Sequence, residues 1–260
     1  MSAKMKNKNL CIIQARMGAT RLPGKVLMKV KSITLLEYEI KRVRQAKKID
    51  KIVVATTTDK NDDEIEKLCK KIKTDCFRGS QEDVLDRYYR CSLGYPEYDN
   101  IVRITGDCPL IDPEIIDLVI AFFEKNKFDY AGNVESGKET FPDGMDVEIF
   151  KKSILNQAAK KAGLISEREH VTPYMRKMKN IKKGNLENEF DFSHFRLTVD
   201  NPEDFKVVKF LIERSKINDG YLKYIVLLTK HPDVMLKNMH IIRNEGLIKS
   251  LKKDFLLEKK

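Results

Sequence analysis

The sequence predicts an α/β protein with a mostly parallel, Rossmann-like sheet flanked by helices. Two observations carry this reading. Short apolar runs alternate with helical-period stretches of about 10–15 residues, the pattern of strands joined by crossover helices. The candidate motifs fall directly after those runs, at 14–25, 56–59, 78–80 and 106–109. In open α/β sheets the carboxyl ends of the strands are where ligands bind.

Each element has a local reason. Leu10-Cys11-Ile12-Ile13 reads as a buried strand. Ile33, Leu36, Ile40 and Val43 recur at helical spacing and predict a helix over 33–47. Residues 52–56 predict a second strand, and 62–73 a helix whose acidic first turn (Asp62, Asp63, Glu64) suits the helix dipole. A brief strand at 75–77, a helix over 82–93 and a strand at 100–105 follow. Pro113 is placed for the first turn of a helix running to about 125. From about 129 the pattern loosens: a turn at 142–144, an alternating strand at 145–150, and helices over 151–162 and 167–178. A late strand at 195–199 and a helix over 202–215 come next. No repeat or low-complexity linker interrupts the chain, so one domain is expected over 1–245, with its looser half at about 129–195. Leu and Lys alternate over 247–260, so 246–260 is expected to be a basic C-terminal helix or tail, docked or fraying.

At 260 residues and 42% apolar content the chain is long and apolar enough for a substantial core. No run approaches the ~18 apolar residues of a membrane span. The apolar run after the basic N-terminus is shorter than the roughly 7–15 residues of a signal-peptide core. A cytoplasmic location without membrane association is expected. Cys11, Cys69, Cys76, Cys91 and Cys108 form an odd set with no C-x-x-C pair, which reads as reduced, mostly buried thiols. The net charge of +11 is scattered over helix faces and both termini. It lacks the basic, aromatic-studded stretch of a nucleic-acid surface, so a small polyanionic substrate and solvated lysine faces account for it.

The stretch Gln14-Ala15-Arg16-Met17-Gly18-Ala19-Thr20-Arg21-Leu22-Pro23-Gly24-Lys25 organises the chemistry. It links a strand to a helix, the usual layout of a phosphate site. Glycines let backbone N–H groups approach an anion, and Arg16, Arg21 and Lys25 can neutralise it. It is neither a Walker A loop nor G-x-G-x-x-G; the competing reading is a solvated basic loop. Asp107 and Asp200 each follow an apolar run, and two carboxylates at strand ends suit a hard cation such as Mg²⁺. Each is equally able to cap the turn or helix that follows it. Arg103 lies on the same edge and can reach phosphate or ribose.

These motifs resemble the cytidylyltransferase family that activates acidic sugars, most of all its spore-coat polysaccharide SpsF-type branch. Q-A-R-M-G-A-T-R-L-P-G-K resembles the loop that wraps the nucleotide triphosphate in that family, which implies roles for Gln14, Ala15, Arg16, Gly18, Arg21 and Lys25. Gln14 stands where the sugar-acid enzymes usually have Pro, and Ala19 where they often have Ser. Gly106-Asp107-Cys108-Pro109-Leu110 and Val199-Asp200-Asn201-Pro202-Glu203-Asp204 are similar to the motifs bearing the family's two magnesium-binding aspartates. Position 201 is Asn where Thr is usual. Segments around Thr56 and around Arg78 and Gly79 are similar to those near the base and ribose. Segments containing Asp143, Asp146 and Glu148, and Arg168 and His170, resemble the acceptor side.

The resemblance implies a nucleotide-diphospho-sugar transferase type of fold and an Mg²⁺-dependent transfer of a nucleotide from CTP to a sugar acid or sugar phosphate. Arg16, Lys25 and Asp107 are the expected catalytic residues. Relatives are often dimers, so a homodimer is one expectation. A guanylyl- or uridylyltransferase using a sugar 1-phosphate stays open. So does a glycosyltransferase, although Asp143 and Asp146 have the wrong spacing for its Asp-x-Asp motif.

Overall fold

Three apolar runs pair side by side within a seven-stranded sheet. The computed structural model describes residues 7–257. β1 (Asn9–Gln14) lies between β4 (Lys51–Thr57) and β6 (Asn100–Thr105), and β5 (Asp75–Gly79) flanks β4, all parallel. Leu10 to Ile13 are wholly buried because β1 is covered on both faces, as continuous apolar strands in parallel sheets are. The far edge carries β8 (Glu148–Lys151), antiparallel to β6, then β7 (Tyr130–Gly132) and β9 (Lys183–Asn185). The order is thus β5-β4-β1-β6-β8-β7-β9. A separate small hairpin pairs β2 (Lys29–Val30) with β3 (Ile33–Thr34).

The predicted helices form with shifted ends. α1 (Leu35–Val43) starts later than expected because Ile33 and Thr34 are spent in the hairpin, and the Thr34 hydroxyl then caps it. α2 (Asp63–Lys71), α3 (Val84–Leu93) and α4 (Pro113–Asn126) fill the expected crossovers, with Asp83 and Asp112 accepting the cap hydrogen bonds of α3 and α4. α5 (Lys152–Lys161) follows β8 directly. The helix expected over 167–178 is two, α6 (Ile165–His170) and α7 (Pro173–Lys177), because Val171 adopts φ 71° and Pro173 supplies no N–H. α8 (Pro202–Arg214), α9 (Tyr221–Lys230) and α10 (Pro232–Met235) close one face. The terminal helix α11 (Glu245–Leu257) docks against α6. The last three residues of the predicted tail, 258–260, and the first six lie outside the described residues.

Two expectations are corrected. Residues 195–199 make no regular strand; they thread between two loops, Leu197 N–H donating to Asp143 O at 2.7 Å and Val199 N–H to Asp107 O at 2.8 Å. The strand expected from 145 begins at Glu148, because Asn133 ties down Met145 O (2.7 Å) and Val147 N–H (2.8 Å) through its side chain. Among the described residues no helix is long and apolar enough to cross a membrane.

Candidate active site

The carboxyl ends of β1 and β6 open into a cleft of about 500 Å³, walled on one side by the 14–26 loop and on the other by α6, α7 and α11. The two strand ends approach closely at Gly106: its N–H donates to Gln14 O at 2.8 Å, and a Cβ there would lie 2.9 Å from that oxygen. Only glycine fits. Asp62 anchors the start of the loop, its carboxylate accepting from Met17 N–H (2.7 Å) and Thr57 N–H (3.1 Å). Its fellow acidic residues Asp63 and Glu66 instead hold Arg78.

Lys25 is the centre of the charge cluster. Its ammonium lies 2.8 Å from Asp107 and 2.8 Å from Asp200. Burial works against its charge, but the two carboxylates outweigh it and raise its pKa. Asp200 also receives Arg21 at 2.9 Å and Arg196 at 3.0 Å. Burial opposes its charge too, yet Lys25, Arg21 and Arg196 hold its carboxyl well below the usual range. Asp107 and Asp200 therefore converge on one cation, with oxygen donors only. That donor set fits a hard divalent ion. Among the described residues no three carboxylate, histidine or cysteine side chains gather to hold a metal by themselves.

A second cluster lies across the cleft. Glu148, buried on β8, accepts from Arg103 on β6 at 2.5 Å, Arg176 on α7 at 2.7 Å and Tyr130 on β7 at 2.5 Å. Burial disfavours its charge, but Arg176 and Arg103 prevail and hold its pKa at about 2. Two guanidinium groups on one carboxylate leave this wall with net positive charge. Between the clusters, Arg196 engages Asp143, Asp200 and Asp204 at once, and Arg243 bonds Asp146 at 2.5 Å. Burial and the neighbouring Asp146 push Asp143 up to about 7, against the pull of Arg243 and Arg196.

Of the residues singled out in the sequence, Gln14, Ala15, Arg16, Arg21, Lys25, Arg103, Asp107, Asp143, Asp146, Glu148, His170 and Asp200 line this one cleft. Gly18, Thr56, Arg78, Gly79 and Arg168 do not line it. Thr56 is buried within β4, and Arg78 turns outward to α2 while bonding Thr57 O at 2.9 Å. Gly79 packs under Phe77 and Arg87. Arg168 braces Asp83, the cap of α3, and Ala159 O at 2.8 Å rather than pairing with Glu169. His170 bonds Ser250 of α11 at 3.1 Å; burial lowers its pKa.

Arg87, Arg176 and Arg196 also line the cleft and were not among the expected residues. Arg176 sits in a short basic helix with no motif to mark it. Arg196 stands four residues before Asp200, a spacing that hints at pairing once a turn is assumed. Cys108 is no nucleophile: burial, followed by the charge of Asp107, pushes its thiol well up and keeps it protonated. All five cysteines are free.

A mostly parallel sheet, a cationic loop after its first strand, and Asp107 past β6 meeting Asp200 before α8 define a Rossmann-like nucleotidyltransferase fold. The profile of the cytidylyltransferase family matches residues 10–248, and the chain belongs to that family. It is 38% identical over 238 residues to an uncharacterised protein of Methanocaldococcus jannaschii, covering 90% of this chain and 96% of that one. It is 35% identical over 238 residues to the spore coat polysaccharide biosynthesis protein SpsF of Bacillus subtilis, covering 87% and 96%. Among solved structures, a cytidylyltransferase from Leptospira borgpetersenii superposes with a TM-score of 0.84 at 36% identity, over 92% of this chain and all of the other. A CMP-2-keto-3-deoxy-manno-octonic acid synthetase complexed with CTP shares the fold, with a TM-score of 0.63 at 17% identity over 80% of this chain and 99% of that one.

Proposed function

We propose that the protein transfers CMP from CTP to an acidic sugar, releasing pyrophosphate, in the synthesis of surface glycans. The observation that carries this is the Lys25 ammonium held 2.8 Å from both Asp107 and Asp200 beneath a loop bearing Arg16 and Arg21. An acceptor oxygen attacks the α-phosphorus of CTP, the bond from that phosphorus to the bridging oxygen breaks, and pyrophosphate departs. Arg16, Arg21 and Lys25 stabilise the charge gathering on the departing phosphates, an electrostatic contribution made in a partly desolvated cleft. Asp107 and Asp200 would hold Mg²⁺, which would supply charge neutralisation to the phosphates.

The acceptor lies against the opposite wall. Arg103 and Arg176 share only one carboxylate, Glu148, so that wall retains a positive charge that suits a sugar carboxylate or phosphate. Asp143 and Asp146, set between the two walls, are placed to bond acceptor hydroxyls. A 3-deoxy-manno-octulosonate cytidylyltransferase of Chlamydia trachomatis, 30% identical over 131 residues, supports the same pairing.

The test is pyrophosphate release with CTP, GTP, UTP or ATP, Mg²⁺, and a panel of sugar acids and sugar phosphates. Release that requires CTP and one acidic acceptor is the expected result. Release with another nucleotide corrects the base, and no release with any pair overturns the reading.

A further inference from the structure

We propose that Arg87, together with Gln14, reads the edge of the cytosine ring and sets the base preference of the cleft. The inference rests on the nucleotidyltransferase reading and deepens it. Arg78, the arginine expected near the base, faces away from the cleft and is held by Asp63 and Glu66. Arg87 faces it.

Arg87 projects from α3 and is only 2% exposed, yet it lines the cleft. One nitrogen, Nη1, donates to the carbonyl of Ser80 at 2.9 Å. Nε is buried without a partner, and no carboxylate forms an ion pair with this guanidinium among the described residues. The neighbouring arginines of the site differ: Arg103 pairs with Glu148, and Arg196 with Asp143 and Asp204. Removing a cation from water and giving it one neutral acceptor is costly, and a ligand that supplies acceptors removes that cost. Arg16, the nearest cation along the loop, reaches only the carbonyl of Gln81, at 3.5 Å.

Gln14 adds an independent observation. It stands at the end of β1, lines the same cleft, and its Oε1 is buried with no partner. Two residues of the cleft lining thus carry an orphaned donor and an orphaned acceptor, beside the apolar Ala15 and Val84 that can face a flat ring. A triphosphate offers acceptors only, so it satisfies Arg87 and leaves Gln14 unmatched. The triphosphate already has Arg21 and Lys25, on the Asp107 and Asp200 side. Cytosine presents an amino donor beside the acceptors N3 and O2, which matches both orphans. Uracil presents a carbonyl in place of the amino group and an N–H at position 3, which opposes an acceptor to Gln14 Oε1 and a donor to Arg87.

The experiment is calorimetric titration of the full chain with CTP and with UTP, Mg²⁺ present and acceptor absent. Wild type is compared with Arg87→Lys, Arg87→Gln and Gln14→Ala, each checked by thermal melting. Wild type is expected to bind CTP more tightly than UTP. Arg87→Gln is expected to weaken CTP binding about ten- to hundredfold, the worth of hydrogen bonds to a charged group, with UTP nearly unchanged. Gln14→Ala moves the ratio the same way by less, and Arg87→Lys, which keeps the charge and loses the planar fork, also lowers it. Equal losses for CTP and UTP in a folded variant overturn the proposal and place Arg87 on phosphate or in the scaffold. An unchanged ratio in both folded Arg87 variants overturns it as well. Wild type that binds neither nucleotide overturns the nucleotidyltransferase reading itself, before any variant is compared.

Discussion

The Lys25 ammonium stands 2.8 Å from the Asp200 carboxylate, although 175 positions separate them in the chain. Asp107 is equally close, so one lysine from the loop after β1 ties together the ends of β6 and the approach to α8. Without ligand this lysine neutralises two carboxylates that would otherwise repel. Lys25→Ala is expected to lower the rate of pyrophosphate release by about 10²–10³-fold, the loss seen when one preorganised electrostatic donor is removed. Steady-state assay checks this, and an unchanged far-UV circular dichroism spectrum separates it from unfolding. A variant within tenfold of wild type would remove Lys25 from the mechanism.

If Asp107 and Asp200 hold Mg²⁺ as proposed, activity is expected to depend on the metal. Chelation by EDTA is expected to stop pyrophosphate release and added Mg²⁺ to restore it. The melting temperature of the nucleotide-free protein should stay constant through the cycle, because Lys25 already compensates Asp107 and Asp200. A melting temperature that falls with EDTA would indicate a structural ion instead.

Glu148 makes stability depend on pH in one direction. Its folded-state pKa, about 2, lies below the ordinary value of 4.5. The stabilisation is therefore complete above about pH 4.5 and drains away as pH falls toward 2; linkage puts it on the order of 3 kcal/mol. Glu148→Gln leaves the partly buried Arg103 and Arg176 without their counter-ion and should cost on the order of 3 kcal/mol at neutral pH. Urea unfolding from pH 7 to pH 3 should show the gap between variant and wild type narrowing. A gap that stays constant down to pH 3 would contradict the assigned ion pairs.

Gly144 has φ 99°, and a Cβ there would lie 2.7 Å from both Leu197 C and Thr198 N. Backbone atoms cannot swing aside as a side-chain tip can. Gly144→Ala is expected to destabilise by at least about 2 kcal/mol, combining left-handed strain with the clash. Because the turn also places Asp143 and Asp146, activity should fall more steeply than stability accounts for; parallel denaturation and rate measurements decide.

Glu245 of α11 bonds Arg21 at 2.7 Å, so the helix competes with phosphate for a loop cation. The pair is partly exposed and such pairs are worth roughly 0.2–1 kcal/mol. Glu245→Gln should therefore tighten CTP binding by no more than about fivefold. Weaker binding in calorimetry would show that Glu245 assists the nucleotide.

The sheet was legible because its determinants are local. A run such as Leu10-Cys11-Ile12-Ile13 has no polar face and is stable only between neighbours, so it declares a central parallel strand by itself. The caps at Thr34, Asp83 and Asp112, which the sequence reading did not pick out, are equally local interactions. Where the chain was misread, a distant partner intervened. Asn133 holds 145–147 out of the strand, and residues 195–199 are ordered by loops at 107 and 143.

The sequence by itself determined the alternation of strands and helices, the cationic loop at 14–25, and the position of Asp107 just past the end of β6. Those follow from hydrophobic period, glycine and charge within short windows. Tertiary structure alone decided which charges meet. Arg78 and Arg87 are nine residues apart and chemically alike, yet one is claimed by Asp63 and Glu66 on α2 and the other is buried at the cleft without a carboxylate. Electrostatic pairing depends on distance in space and on desolvation. Neither quantity is carried by residue spacing.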